Sequence, residues 1–239
     1  MENKKEKLED FKTAISSTVR SLSNSQEIEI SFGNQAIKSS KNSIRLPDLE
    51  QGSNKLNYEK IRAIADSKSL NLRFSDVKTL KKYEPEGNIS KKLYSISEKI
   101  RCEKIGTSYF KGIKKNIEKY YYKRLSGLDL KSSEDKIIES FENYLRVKFL
   151  NFKNESQIDK RLKPFKKDLN DQLKNRINEL KDLTLHQEKF NSLVSKMIND
   201  MKTDNCNFFS QSEINKYNTL GIGPELLYLL KEGKKTFCD

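Results

Sequence analysis

The sequence predicts a mainly α fold: a multi-helix domain with a small β-hairpin near the N-terminus and a helical arm toward the C-terminus. Three observations point there. Apolar residues recur at helical spacing through most of the chain. Only two short segments, 27–32 and 43–47, read as extended. No run of about 18 apolar residues is present to offer a membrane span. The hydrophobic fraction, 34% of 239 residues, is low, but its arrangement in patterned runs favours folding over disorder.

Residues 4–22 predict a first helix, with Leu8, Phe11, Ile15, Val19 and Leu22 on one stripe. EIEISF (27–32) alternates polar and apolar residues, and SIRLP (43–47) is a second extended piece that pairs with it across a polar loop. Pro47 closes that piece, and 48–55 read as a linker. One long helix is expected from about Tyr58 to Lys82, its core face including Ile61, Ile64, Ala65, Leu72 and Leu80. PEGN (85–88) stops it and caps the next helix, about 89–104; another spans roughly 109–125, and SGLDLKSSED (126–135) breaks the chain again. The helix 134–150 buries Ile137, Ile138, Phe141, Leu145 and Phe149. From Gln157 to Leu183 apolar residues at 158, 162, 165, 169, 173, 177 and 180 predict an amphipathic arm, bent near Pro164. A last helix, 185–201, carries Phe190, Leu193, Val194, Met197 and Met201. Residues 1–203 thus read as one domain, with 1–55 its helix-plus-hairpin part. Residues 204–239 form a tail with a short apolar helix at about 224–231.

The net charge of +13 is unevenly spread. Residues 1–50 balance 8 basic groups with 8 acidic ones, whereas 91–125 hold 11 against 3. Such a surface attracts anionic partners. A basic helical nucleic-acid-binding module is therefore one reading, with Tyr120, Tyr121 and Tyr122 offered for base stacking. Abundant Lys, Asn and Ile also fit the codon bias of an AT-rich genome, in which Lys fills solvated faces. The charged start lacks a signal-peptide core, so a cytoplasmic location is expected. Cys102, Cys206 and Cys238 are odd in number and widely spaced, and His186 is the one histidine. Neither a disulfide framework nor a zinc site follows from them. Phosphate-loop, Rossmann, GxSxG and HExxH patterns are absent.

The most informative block runs from Leu93 to Asn116, LYSISEKIRCEKIGTSYFKGIKKN. Glu98 and Arg101 share a helix face, whereas Glu103 lies on another. Paired carboxylates can serve as acid and base, but neither a nucleophile nor a metal partner adjoins them. Structural or interface use is the expectation, with Cys102 a small core residue. Gly106 and Gly112 bracket a tight connection at which two helices fold back on each other, with Asn116 bridging backbone near the junction. Removing Arg101 is then expected to strand Glu98 or Asp66. Upstream, Arg62 and Asp66 (i,i+4) and Arg73 and Asp76 (i,i+3) are spaced for intrahelical salt bridges.

At these residues the chain resembles the N-terminal region of the CobT family, a subunit of aerobic ATP-dependent cobaltochelatase. The resemblance covers roughly residues 8–200. It rests on IRLPDL around Arg45; on Arg62, Asp66, Arg73 and Asp76; on Glu98, Arg101, Glu103 and Gly106; and on Gly112 with Asn116. It implies an adaptor, itself non-catalytic, in a complex that inserts Co2+ into hydrogenobyrinic acid a,c-diamide during cobalamin synthesis. The implied partners are an AAA+ ATPase subunit and a large corrin-binding subunit, with homo-oligomerisation possible. The complex would use ATP, Mg2+ and Co2+, and no cofactor is expected in this chain. The family usually carries histidines near the positions of Ser75 and Leu80, which are absent here. Its chains also continue through an acidic linker into a von Willebrand factor A domain with a DxSxS metal-adhesion site. Neither occurs before Asp239, so that site is not carried over; a fragment, a truncated gene and a reduced paralogue all fit.

Overall fold

The computed structural model describes residues 2–35, 43–48, 58–152, 160–163, 169–171 and 173–201. Helix α1, Glu2–Ser23, is followed by strands β1, Glu29–Phe32, and β2, Ser43–Leu46. Then come α2 (Tyr58–Phe74), α3 (Val77–Lys82), α4 (Asn88–Tyr109), α5 (Lys111–Ser126) and α6 (Ser133–Leu150). A 3-10 turn at Lys160–Leu162 precedes α7, Ile177–Asp182, and α8, Gln187–Met201. The linker at 49–55, the bend near Pro164, Cys206, Cys238 and the tail 204–239 lie outside the described residues.

The two extended segments pair as expected, but in parallel. They therefore form a crossover pair and not a reversing hairpin. The register sets Ile30 beside Ile44 and Phe32 beside Leu46, which keeps apolar residues adjacent on the side facing α1 and α2. Leu8, Ile15, Val19, Phe32, Ile44, Leu46, Ile61 and Ala65 close a small apolar cluster there.

The helix expected over Tyr58–Lys82 is broken in two. Asp76 takes an extended conformation, and its side chain accepts the Thr79 N–H at 2.7 Å, an N-cap that starts α3 afresh. Leu72, expected in the core, is 39% exposed. Ile61, Ala65 and Leu70 set the inner face of α2, and residue 72 lies about 200° around the helix from Leu70.

Gly106 and Gly112 flank the tight connection between α4 and α5, but Gly106 does not itself form the turn. It sits inside α4, where a Cβ would overlap the side chain of Leu70 on α2. The turn is Phe110 alone, extended between two helices. Gly87 begins α4 at φ 91°, a conformation L side chains rarely adopt.

The expected arm over Gln157–Leu183 is interrupted at 174–176, where Arg176 N–H bonds to Leu173 O. Leu162, Leu169, Leu173, Ile177 and Leu180 nevertheless join the main core with residues of α4, α5, α6 and α8. Helix α4 is the hub, packing against α2, α5, α6 and α8. None of the described helices is long and apolar enough to cross a membrane.

Candidate functional site

A helix that contacts four others has little surface left, and α4 buries charge as well as apolar residues. Glu98, Arg101 and Glu103 are each 1% exposed. Unpaired, such groups would cost several kcal/mol apiece, so their partners determine what the block does.

Arg101 donates through Nε and Nη2 to the two Glu98 oxygens, both at 2.8 Å. Its remaining bonds leave the helix: Nη1 donates to Thr184 O at 2.9 Å and Nη2 to Phe74 O. Phe74 ends α2, and Thr184 lies just beyond α7. One guanidinium thus satisfies carbonyls left open at two helix C-termini, where positive charge is also favoured by the dipoles. The Phe190 ring covers it at 5.9 Å. Cys102 is fully buried, and burial together with Glu98 pushes its thiol pKa well above the ordinary range, which leaves the thiol inert.

Glu103 points elsewhere. It accepts from Ser67 Oγ and from Arg146 Nη1, both at 2.6 Å. Arg146 also donates through Nε and Nη2 to Glu142 at 2.9 and 2.7 Å. Lys99 and Arg124 reach Glu142 at 3.0 and 3.1 Å, and Arg124 forks onto Glu139 at 2.6 and 2.8 Å. Burial alone would raise the pKa of Glu142, but Lys99, Arg146 and Arg124 outweigh it and hold the carboxylate well below its ordinary range. Beside this network a cavity of about 370 Å³ opens where α2, α4, α5 and α6 meet.

Asp66, fully buried, joins α2 to α5. It accepts from Arg62 Nε at 3.2 Å, the intrahelical pair its spacing allows, and from Asn116 Nδ2 at 2.8 Å. Burial raises its pKa against those two bonds. Asn116 therefore holds a carboxylate and not the backbone of the junction, and Arg101 loss strands Glu98 alone. The Arg73–Asp76 pair does not form. Arg73 instead donates to Leu22 O at 3.2 Å, closing the end of α1, and Asp76 is spent as a cap. Arg45 lies exposed on β2, apart from the block; among the described residues its guanidinium makes only a 3.5 Å contact to Gln35 O. Gly112, in the first turn of α5, has open space around it.

A family model described as cobalamin biosynthesis protein CobT matches residues 5–215. The chain belongs to the CobT family. No solved structure matches it. In this CobT-family chain the predicted positions fall into three groups: the Arg101 staple, the Glu103 network and the Asp66 tie. Arg45, Arg73, Asp76, Gly106 and Gly112 stand outside them.

Sequence reasoning missed Ser67, Arg124, Glu139, Glu142 and Arg146. The signal was available in α6, where Glu139, Glu142 and Arg146 recur at i,i+3 and i,i+4 among the apolar positions Phe141, Tyr144 and Leu145. Among the described residues, no group of three or more His, Cys, Asp or Glu side chains could hold a metal ion. Tyr121 and Tyr122 are buried, and the Tyr121 ring lies under Arg146 at 4.8 Å and Arg124 at 5.4 Å. Two of the three tyrosines are thus withdrawn from any base-stacking role.

Proposed function

We propose that this chain is a non-catalytic adaptor of a cobaltochelatase assembly, acting with an AAA+ ATPase subunit and a corrin-binding subunit during cobalt insertion in cobalamin synthesis. The family match supports the pathway. The observation that carries the adaptor role is the use made of the α4 carboxylates. Glu98 and Glu103 are both buried and both bound to arginine, so neither is placed to meet a substrate as a general base. The block therefore serves as scaffold, and docking falls to the surface it supports.

That surface includes a ladder on α5. Lys111, Lys115, Lys119 and Lys123 recur every four residues and are all exposed; Lys119 meets Glu59. A one-sided row of cations suits an acidic protein surface, where it governs on-rate and register. The cytoplasm is the compartment such an assembly would occupy.

Size-exclusion chromatography of the chain mixed with the family's AAA+ subunit, with and without ATP, tests the proposal. The expected result is co-elution, abolished when the four ladder lysines are changed to glutamate. Separate elution under both conditions overturns it.

A further inference from the structure

The cavity beside Glu103 has the size of a small-molecule site, at the lower end of the usual range of about 300–1,000 Å³. Part of its lining is apolar or aromatic, from Ala63, Ile64, Ile117 and Tyr120. The remainder carries four cations, Lys68, Lys99, Arg124 and Arg146, against two carboxylates, Glu103 and Glu142. Both carboxylates are already engaged: Glu103 by Ser67 and Arg146, Glu142 by Lys99, Arg124 and Arg146.

The donors are less fully used. Lys68 donates to one backbone oxygen, Arg45 O at 2.7 Å, and has no carboxylate partner among the described residues. Among the described residues Lys99 makes a single bond, to Glu142, and its side chain is 36% exposed. An ammonium carries three N–H groups, so each of these lysines keeps two to offer. Both are reachable from solvent, since Lys68 is also exposed. Partial desolvation of its ammonium and the nearby charge of Arg45 lower the pKa of Lys68; a bound anion opposes both by favouring the charged form. A metal cation entering here would meet ammonium and guanidinium groups. A neutral apolar molecule would cover charges without pairing them. An oxyanion with an apolar body satisfies both parts of the lining.

We propose that this cavity binds a small carboxylate- or phosphate-bearing molecule, its anionic group held by Lys68 and Lys99 and its body laid against Ile64, Ile117 and Tyr120. The inference rests on the cavity alone and stands whether or not the adaptor reading does.

Calorimetric titration of the full chain at low ionic strength with acetate, benzoate and inorganic phosphate tests it, with the phosphate arm separating the two oxyanion classes. Saturable single-site binding of benzoate or phosphate is expected, benzoate exceeding acetate if the carboxylate class is correct. Lys68→Gln should weaken that binding roughly tenfold or more. Lys99→Gln is the second variant, and melts confirm that each is folded. Lys196→Gln, exposed on α8 and not part of the cavity lining, should leave it unchanged. Failure of both benzoate and phosphate to saturate overturns the proposal. So does an equal loss in Lys196→Gln, which would indicate general attraction to a basic surface, or unaltered binding in folded Lys68→Gln and Lys99→Gln.

Discussion

Arg101 and Arg146 are both buried guanidiniums held by carboxylates of α4, yet they are used differently. Arg101 binds one glutamate and spends its other bonds on the ends of two helices. Arg146 binds two glutamates and belongs to a charged network that extends through Lys99 and Arg124 toward solvent. The first arrangement is closed and joins backbone to backbone. The second is open and borders a cavity. Burial of a charge therefore says little by itself; the partner groups show whether it fastens the chain or presents a binding surface.

The largest effect is expected from Arg146→Ala, which leaves Glu103 and Glu142 short of a buried counterion. A loss of about 3–5 kcal/mol is expected, lowering the melting temperature by roughly 10 °C. Arg101→Ala should follow at about 3 kcal/mol, from one stranded carboxylate and two open carbonyls. Arg101→Lys should recover only part of it, because an ammonium cannot reproduce the forked geometry. Thermal and urea unfolding of the three variants compares the two networks directly.

Acid sharpens the same contrast. The pKa of Glu142 is depressed in the folded state, so its contribution is fully present above its ordinary 4.5 and is lost as pH falls toward the folded value. Asp66, with a raised pKa, acts in the opposite sense: its contribution is present below its ordinary 3.8 and is lost as pH rises through the folded value. Glu142→Gln should therefore flatten the fall in melting temperature between about pH 5 and pH 2, and an unchanged slope would remove Glu142 from the account.

Two glycines give a smaller test. Gly106→Ala gains helix propensity of about 1 kcal/mol, but its Cβ must displace Leu70, so a net loss of about 1–2 kcal/mol is expected. Gly112→Ala meets nothing within 4 Å and should be stabilising by about 0.5 kcal/mol. Smallest of all, Lys114→Ala breaks, among the described residues, only a bond to Asn151 O at 3.1 Å and should move the melting temperature by no more than about 2 °C.

The helices were legible because their apolar stripes have one period: Ile15 and Val19 in α1, and Phe141, Leu145 and Phe149 in α6, are buried where that period puts them. In the sequence Asp76 reads as a salt-bridge partner, because i,i+3 spacing does not distinguish a mid-helix acid from an N-cap. Strand direction was hidden for a related reason, since alternation in 27–32 and 43–47 fixes a face and not an orientation. In the site, Glu98 with Arg101 and Arg62 with Asp66 are local and were visible in the spacing. Arg146 with Glu103 spans 43 positions and Asn116 with Asp66 spans 50; no helical period connects residues so far apart.

The division of labour around α4 is tested most directly by parallel urea unfolding of Arg101→Ala and Lys68→Gln. Arg101→Ala should lose about 3 kcal/mol, whereas Lys68→Gln, which gives up one hydrogen bond at an exposed position, should lose no more than about 1 kcal/mol. Unchanged stability in Arg101→Ala, or a loss in Lys68→Gln as large as that of Arg101→Ala, would contradict it.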